Sequence, residues 1–74
     1  MGTETLDEAI RRERAGRQWS QEDLAREAGV TRLTVSSVEG GRHVPTLDTV
    51  TKILAALGIR GERAAALLGL GGGE

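Results

Sequence analysis

The stretch Trp19-Ser20-Gln21-Glu22-Asp23-Leu24-Ala25-Arg26-Glu27-Ala28-Gly29-Val30-Thr31-Arg32-Leu33-Thr34-Val35-Ser36-Ser37-Val38-Glu39 decides the fold. It spells two short helices joined by a glycine turn, each with its own start signal. Ser20 is a strong N-cap, and Asp23 can reach back to its backbone as a short form of the capping box. Trp19 and Leu24 stand where a hydrophobic staple closes over that cap. After the turn the grammar repeats, with Thr31 as the cap and Val30 and Val35 as the staple. Gly29 sits where the first of the two helices must stop and the chain must turn sharply, a step that favours the left-handed backbone of glycine.

Outward from this core, residues 5–17 read as a helix with Leu6 and Ile10 as its inward stripe and Gly16 weakening its end. The two central helices cover roughly 21–28 and 32–39, and Gly40-Gly41 ends the latter. Arg42-His43-Val44-Pro45 is a loop. Thr46 then caps a helix over about 47–57, whose Leu47, Val50, Ile53, Leu54 and Leu57 fit helical spacing and whose end is marked by Gly58. A weaker, alanine-rich helix follows near 61–68, and the glycine-rich residues 69–74 read as a flexible tail. No repeat and no strand pattern is present. The expectation is an all-α fold: one domain over residues 1–68, a compact bundle of four or five short helices.

Composition narrows the function classes. The chain has 74 residues, no cysteine and a single histidine, His43, so disulfides, thiolate metal sites and a zinc centre are not expected. No cofactor is implied. No run is long enough to span a membrane, and Met1 is followed by acidic residues rather than a basic, then apolar, leader. The net charge of −1 argues mildly against nucleic acid, but the charge is segregated. Residues 1–8 sum to −3, residues 9–19 to +3, residues 20–29 to −2 and residues 30–45 to +1. Arg11, Arg12 and Arg17 read as a solvated basic face that adds long-range attraction.

Two capped helices across so tight a turn make a helix-turn-helix motif, whose second helix can lie in the DNA major groove. At 100° per residue Val35 and Val38 share one face, while Leu33 lies about 140–160° away with Ser37 one turn below it. An outward leucine there suits a thymine methyl group; its plainer reading is a surface leucine. Arg32, at the start of the same helix, suits guanine O6 and N7, against phosphate contact or simple solvation. Trp19 reads as core rather than a stacking platform.

Taken together, these segments resemble the phage-repressor-like (Cro/C1-type, XRE) helix-turn-helix family, whose fold is lambda-repressor-like. The resemblance covers about residues 6–59 and is carried by Arg14, Ser20 to Ala25, Ala28 to Arg32, Val35 to Gly41, Pro45-Thr46-Leu47 and Ala56-Leu57-Gly58-Ile59. It implies that Arg32, Leu33 and Ser37 face base edges and that Gln21 anchors a phosphate at the start of its helix. It also implies that Arg14 and Glu39 form an ion pair orienting the recognition helix. Ser20, Thr31, Gly40, Arg42 and His43 complete the expected phosphate contacts. Two departures stand out. Gln18 occupies a position where the family usually has glycine, and helix 32–39 carries few long polar side chains, which suggests modest affinity per monomer or reliance on DNA shape.

The leading expectation is therefore a sequence-specific double-stranded DNA-binding transcriptional regulator of repressor type. It would act in the cytoplasm as a homodimer formed through the C-terminal helical region, where Leu67, Leu68 and Leu70 offer apolar surface; their plainer reading is that they close the core. The alternative is a protein-interaction module or antitoxin whose main partner is another protein. Restriction–modification control is a further role open to such chains. An enzyme is not expected, because no catalytic constellation is visible.

Overall fold

Start signals of one kind recur along the chain, and four of the five helices begin on one. In the computed structural model, which describes residues 4–41 and 46–69, Thr5 opens helix α1 (Leu6–Gly16). Its hydroxyl accepts from the Glu8 N–H, and the Glu8 carboxylate accepts from the Thr5 N–H. Ser20 and Asp23 make the same reciprocal pair at the head of α2 (Gln21–Ala28). Thr31 and Thr46 cap α3 (Arg32–Gly40) and α4 (Leu47–Ala56) by accepting from the Thr34 and Thr49 N–H groups. Each cap satisfies an N–H that the first helical turn leaves without a partner. Helix α5 (Gly61–Leu68) is the exception: Arg60 precedes it without any side-chain cap bond. The five helices agree with the all-α expectation, and the described residues contain no strand.

Gly29 takes φ +75° and ends α2, as the tight turn requires. Gly40 is still helical, and Gly41, at φ +64°, ends α3, one residue later than the sequence suggested. Among the described residues Gln18, at φ +58°, is the lone non-glycine in the left-handed region. This is the position where the family pattern has glycine, so the backbone keeps the shape although the residue disfavours it.

Helix α2 packs against α3 and α4, and α1 packs against α3. Between them lies one core of Ile10, Leu24, Ala25, Ala28, Val35, Val38, Val50, Ile53, Leu54, Leu57 and Ile59. Leu6, Trp19, Val30, Leu67 and Leu68 pack on its margin, partly buried. Leu47 departs from expectation: periodicity puts it in the stripe of α4, yet it is 59% exposed. Helical angle gives a direction but not a partner. No residue of α5 is fully buried. Residues of α4 and α5, with the link between them, line a cleft of about 280 Å³: Thr51, Leu54, Ala55, Ile59, Arg60, Gly61, Ala64 and Leu68. No helix among the described residues is long and apolar enough to cross a membrane. The Arg42–Pro45 loop, with the expected contacts Arg42 and His43, lies outside the described residues, as do Leu70 and the rest of the tail.

Candidate nucleic-acid interface

The surface of interest is built by the heads of α2 and α3 and by the junction that holds α3 in place. As the helical angles require, Val35 and Val38 are buried while Leu33 points outward, 71% exposed. Arg32 is exposed in the first turn of the same helix, and Ser37 is half-buried one turn below Leu33. The cations elsewhere are mostly engaged. Arg11 pairs with Asp7, Arg12 with Glu4, Arg14 with Glu39, and Arg17 with Glu13. Arg26 pairs with Asp23, Lys52 with Asp48, and Arg63 with both Glu4 and Glu13. Arg32 and Arg60 have no carboxylate partner among the described residues, and Arg32 is the one on α3. Its Nη1 donates to Gln21 Oε1 at 3.5 Å.

Behind this surface stands Glu39, a carboxylate only 5% exposed. Burying a charge is costly unless it is paired and hydrogen-bonded, and here it is both. Arg14 donates from Nε to Oε2 at 2.6 Å and from Nη2 to Oε1 at 2.9 Å, a two-pronged contact. The third Arg14 donor, Nη1, reaches the Trp19 carbonyl at 2.8 Å. Gln21 Nε2 donates to the same Glu39 Oε1 at 3.1 Å. The Glu39 carboxylate, through the bonds it accepts, raises the Arg14 pKa beyond its ordinary value.

The expected site residues are thus placed as follows. Arg32 and Leu33 share the exposed first turn of α3. Gln21 is half-buried, with one amide hydrogen given to Glu39, Oε1 accepting a long bond from Arg32, and the second amide hydrogen left for an outside partner. Ser20 and Thr31 spend their oxygens on their own caps but keep exposed positions at the two helix heads. Gly40 is exposed in the last turn of α3. Of the three arginines read from sequence as a solvated face, Arg12 stays largely exposed, while Arg11 and Arg17 fasten other elements. Arg17 reaches the Leu57 carbonyl at 2.6 Å and lies over the Trp19 ring at 5.7 Å. Arg11 donates to the Glu39 carbonyl at 2.5 Å. A signal for Arg11 was present: Asp7, Arg11 and Arg14 stand at i, i+4 and i+7 on one stripe of α1.

Comparison with known proteins agrees with this architecture. A family model described as helix-turn-helix matches residues 10–70. A protein named "Neisseria hypothetical transcription factor", from Neisseria meningitidis serogroup B, is 46% identical over 46 residues, which cover 62% of this chain and 43% of that one. An uncharacterized HTH-type transcriptional regulator of Mycobacterium bovis is 39% identical over 59 residues, 80% of this chain and 23% of the other. Another from Methanocaldococcus jannaschii is 39% identical over 47 residues, 64% of this chain and 71% of the other. The chain therefore spans less than half the length of the first two relatives. No solved structure matches it.

Proposed function

Since the chain belongs to the helix-turn-helix family, we propose that it is a sequence-specific, double-stranded DNA-binding transcriptional regulator of repressor type. It reads the major groove with α3 as a homodimer and works in the cytoplasm. One observation carries the reading: Arg32, without a carboxylate partner among the described residues, stands beside the 71%-exposed Leu33 at the head of α3. A donor fork next to an apolar side chain matches a guanine edge next to a thymine methyl group. Relatives named as transcription regulators support it.

In this reading Arg32, Leu33 and Ser37 meet base edges. Gln21, Ser20, Thr31 and Gly40, with Arg42 and His43 of the adjoining loop, meet phosphates, helped by the N–H groups at the head of α2. One α3 offers few base contacts, so two copies reading half-sites about 34 Å apart supply the specificity. The partly buried Leu67 and Leu68 and the cleft beside α5 favour pairing through the C-terminal helices.

The test is selection from a random duplex pool, then titration of the winning duplex against salt. The reading requires an enriched two-fold motif and affinity that falls as salt rises. No enrichment, with tight capture of a protein partner instead, would replace it with the interaction-module reading.

A further inference from the structure

We propose that Arg11 is a positioning residue for groove reading: it clamps the C-terminal turn of α3 from α1 and touches no nucleic acid itself. The inference rests on the proposed DNA-reading role of α3. The last four carbonyls of a helix have no partner within it. In α3 the Gly41 N–H closes on the Ser37 and Val38 carbonyls. The next carbonyl, that of Glu39, accepts from Arg11 Nη1 at 2.5 Å. Arg11 is steered there by Asp7, one turn earlier on α1, whose Oδ2 lies 3.2 Å from the same nitrogen. A cation at this end also complements the partial negative charge of the helix C-terminus.

The consequence comes from pairing this contact with that of Arg14. Two arginines one turn apart on α1 grip one residue of α3, Arg14 by the side chain and Arg11 by the backbone. A side-chain grip alone leaves Glu39 free to change rotamer while α3 tilts. A backbone grip fixes the helix itself. The opposite end of α3 is tethered by the Gly29–Thr31 turn and the Thr31 cap. Loosening the far end therefore swings the helix about its head. Ser37 lies about 9 Å along the axis from Thr31, and Arg32 about 1.5 Å, so Ser37 moves most.

The experiment compares the full chain with Arg11→Met, which keeps the apolar stem and removes the donors, and with Arg11→Lys, which keeps a donor. We expect Arg11→Met to weaken binding to the selected duplex about fivefold to tenfold. The slope of log affinity against log salt should stay unchanged. Base preference should flatten at the pairs nearest Ser37 while persisting at the pair read by Arg32, and Arg11→Lys should restore most of both. A slope reduced by about 0.9 with uniform weakening across sequences would make Arg11 a phosphate contact and overturn the proposal. Unchanged affinity and preference would overturn it too. Amide exchange in the absence of DNA separates this outcome from failure of the DNA-reading role. If the clamp holds, Arg11→Met speeds exchange in the last turn of α3 but not in α2; equal exchange there refutes it whatever the duplex selection shows.

Discussion

Glu39 of α3 and Arg14 of α1 meet through two parallel hydrogen bonds of 2.6 and 2.9 Å, and the carboxylate in this pair is almost wholly shut off from water. Removing one partner strands the other. Arg14→Ala is expected to destabilise the fold by about 3 kcal/mol, because Glu39 keeps only the Gln21 amide as a side-chain donor. The double variant Arg14→Met with Glu39→Leu should recover most of that loss, since it leaves no buried charge behind. Urea unfolding of the two variants beside the parent chain checks this, and a double variant worse than Arg14→Ala would contradict it.

Gln18 and Gly29 share a left-handed backbone at φ +58° and +75° but differ in residue type, so substitutions at them should have opposite signs. Gln18→Gly removes the steric penalty and is expected to raise stability by about 1 kcal/mol, net of the freedom glycine gains when unfolded. Gly29→Ala should lower it by about 1 kcal/mol, although an added Cβ meets nothing within 4 Å, because the cost is conformational. Thermal melts giving the same sign for both would refute the argument.

Both of those positions were visible in the sequence, one as a turn glycine and the other as a departure from the family pattern. Local chemistry was generally legible: Ser20 with Asp23, and Thr31 as a cap, need only neighbours three residues away. Thr5 with Glu8 follows the same spacing. What stayed hidden depends on which elements meet. The partner of Arg11 is a backbone carbonyl 28 residues on, and carbonyls carry no sequence signature. Gln21 has its donor bound to a residue 18 positions away. Leu47 likewise fits the apolar stripe of α4 by its helical angle and is nonetheless 59% exposed.

Acid should unfold the chain through its capped and paired carboxylates. The Ser20 backbone and hydroxyl hold the Asp23 carboxyl below the ordinary range, and Arg63, then Arg17, hold that of Glu13 below it. A depressed folded-state pKa gives stability that is complete above the unfolded value and lost as pH falls through the folded one. Melting temperature is therefore expected to be flat from neutral pH to about pH 5 and to fall below about pH 4. Asp23→Asn and Glu13→Gln should each soften that decline; an unaltered acid limb in both would show that other groups set it.

Helix α5 should open before the rest. It has no side-chain cap and no fully buried residue. Arg63 ties it to Glu4 at 3.4 Å and to Glu13 at 2.9 Å. These pairs are partly exposed and worth about 1 kcal/mol or less each. Amide exchange over Gly61–Leu68 is expected to outpace that of α2 and α3, to quicken with added salt, and to quicken again in Arg63→Ala. Equal protection of α5 and α3 at high salt would mean that Leu67 and Leu68, not the ion pairs, hold the helix.

Arg32 and Gln21 are neighbours at the heads of α3 and α2, yet their removal should read differently on DNA. Arg32, at the head of α3, has no carboxylate partner among the described residues and only a long bond to Gln21, so Arg32→Ala is expected to relax preference at one position of each half-site by about 1–3 kcal/mol. Gln21 has a second amide hydrogen left for a phosphate after binding Glu39. Its loss should weaken all sequences alike and leave the preferred motif unchanged. Repeating the duplex selection with each variant separates the roles: a motif altered only by Arg32→Ala supports both assignments. Uniform weakening by Arg32→Ala would move that residue to the phosphate set, and a new preferred motif from Gln21→Ala would show that Gln21 steers the Arg32 guanidinium 3.5 Å away.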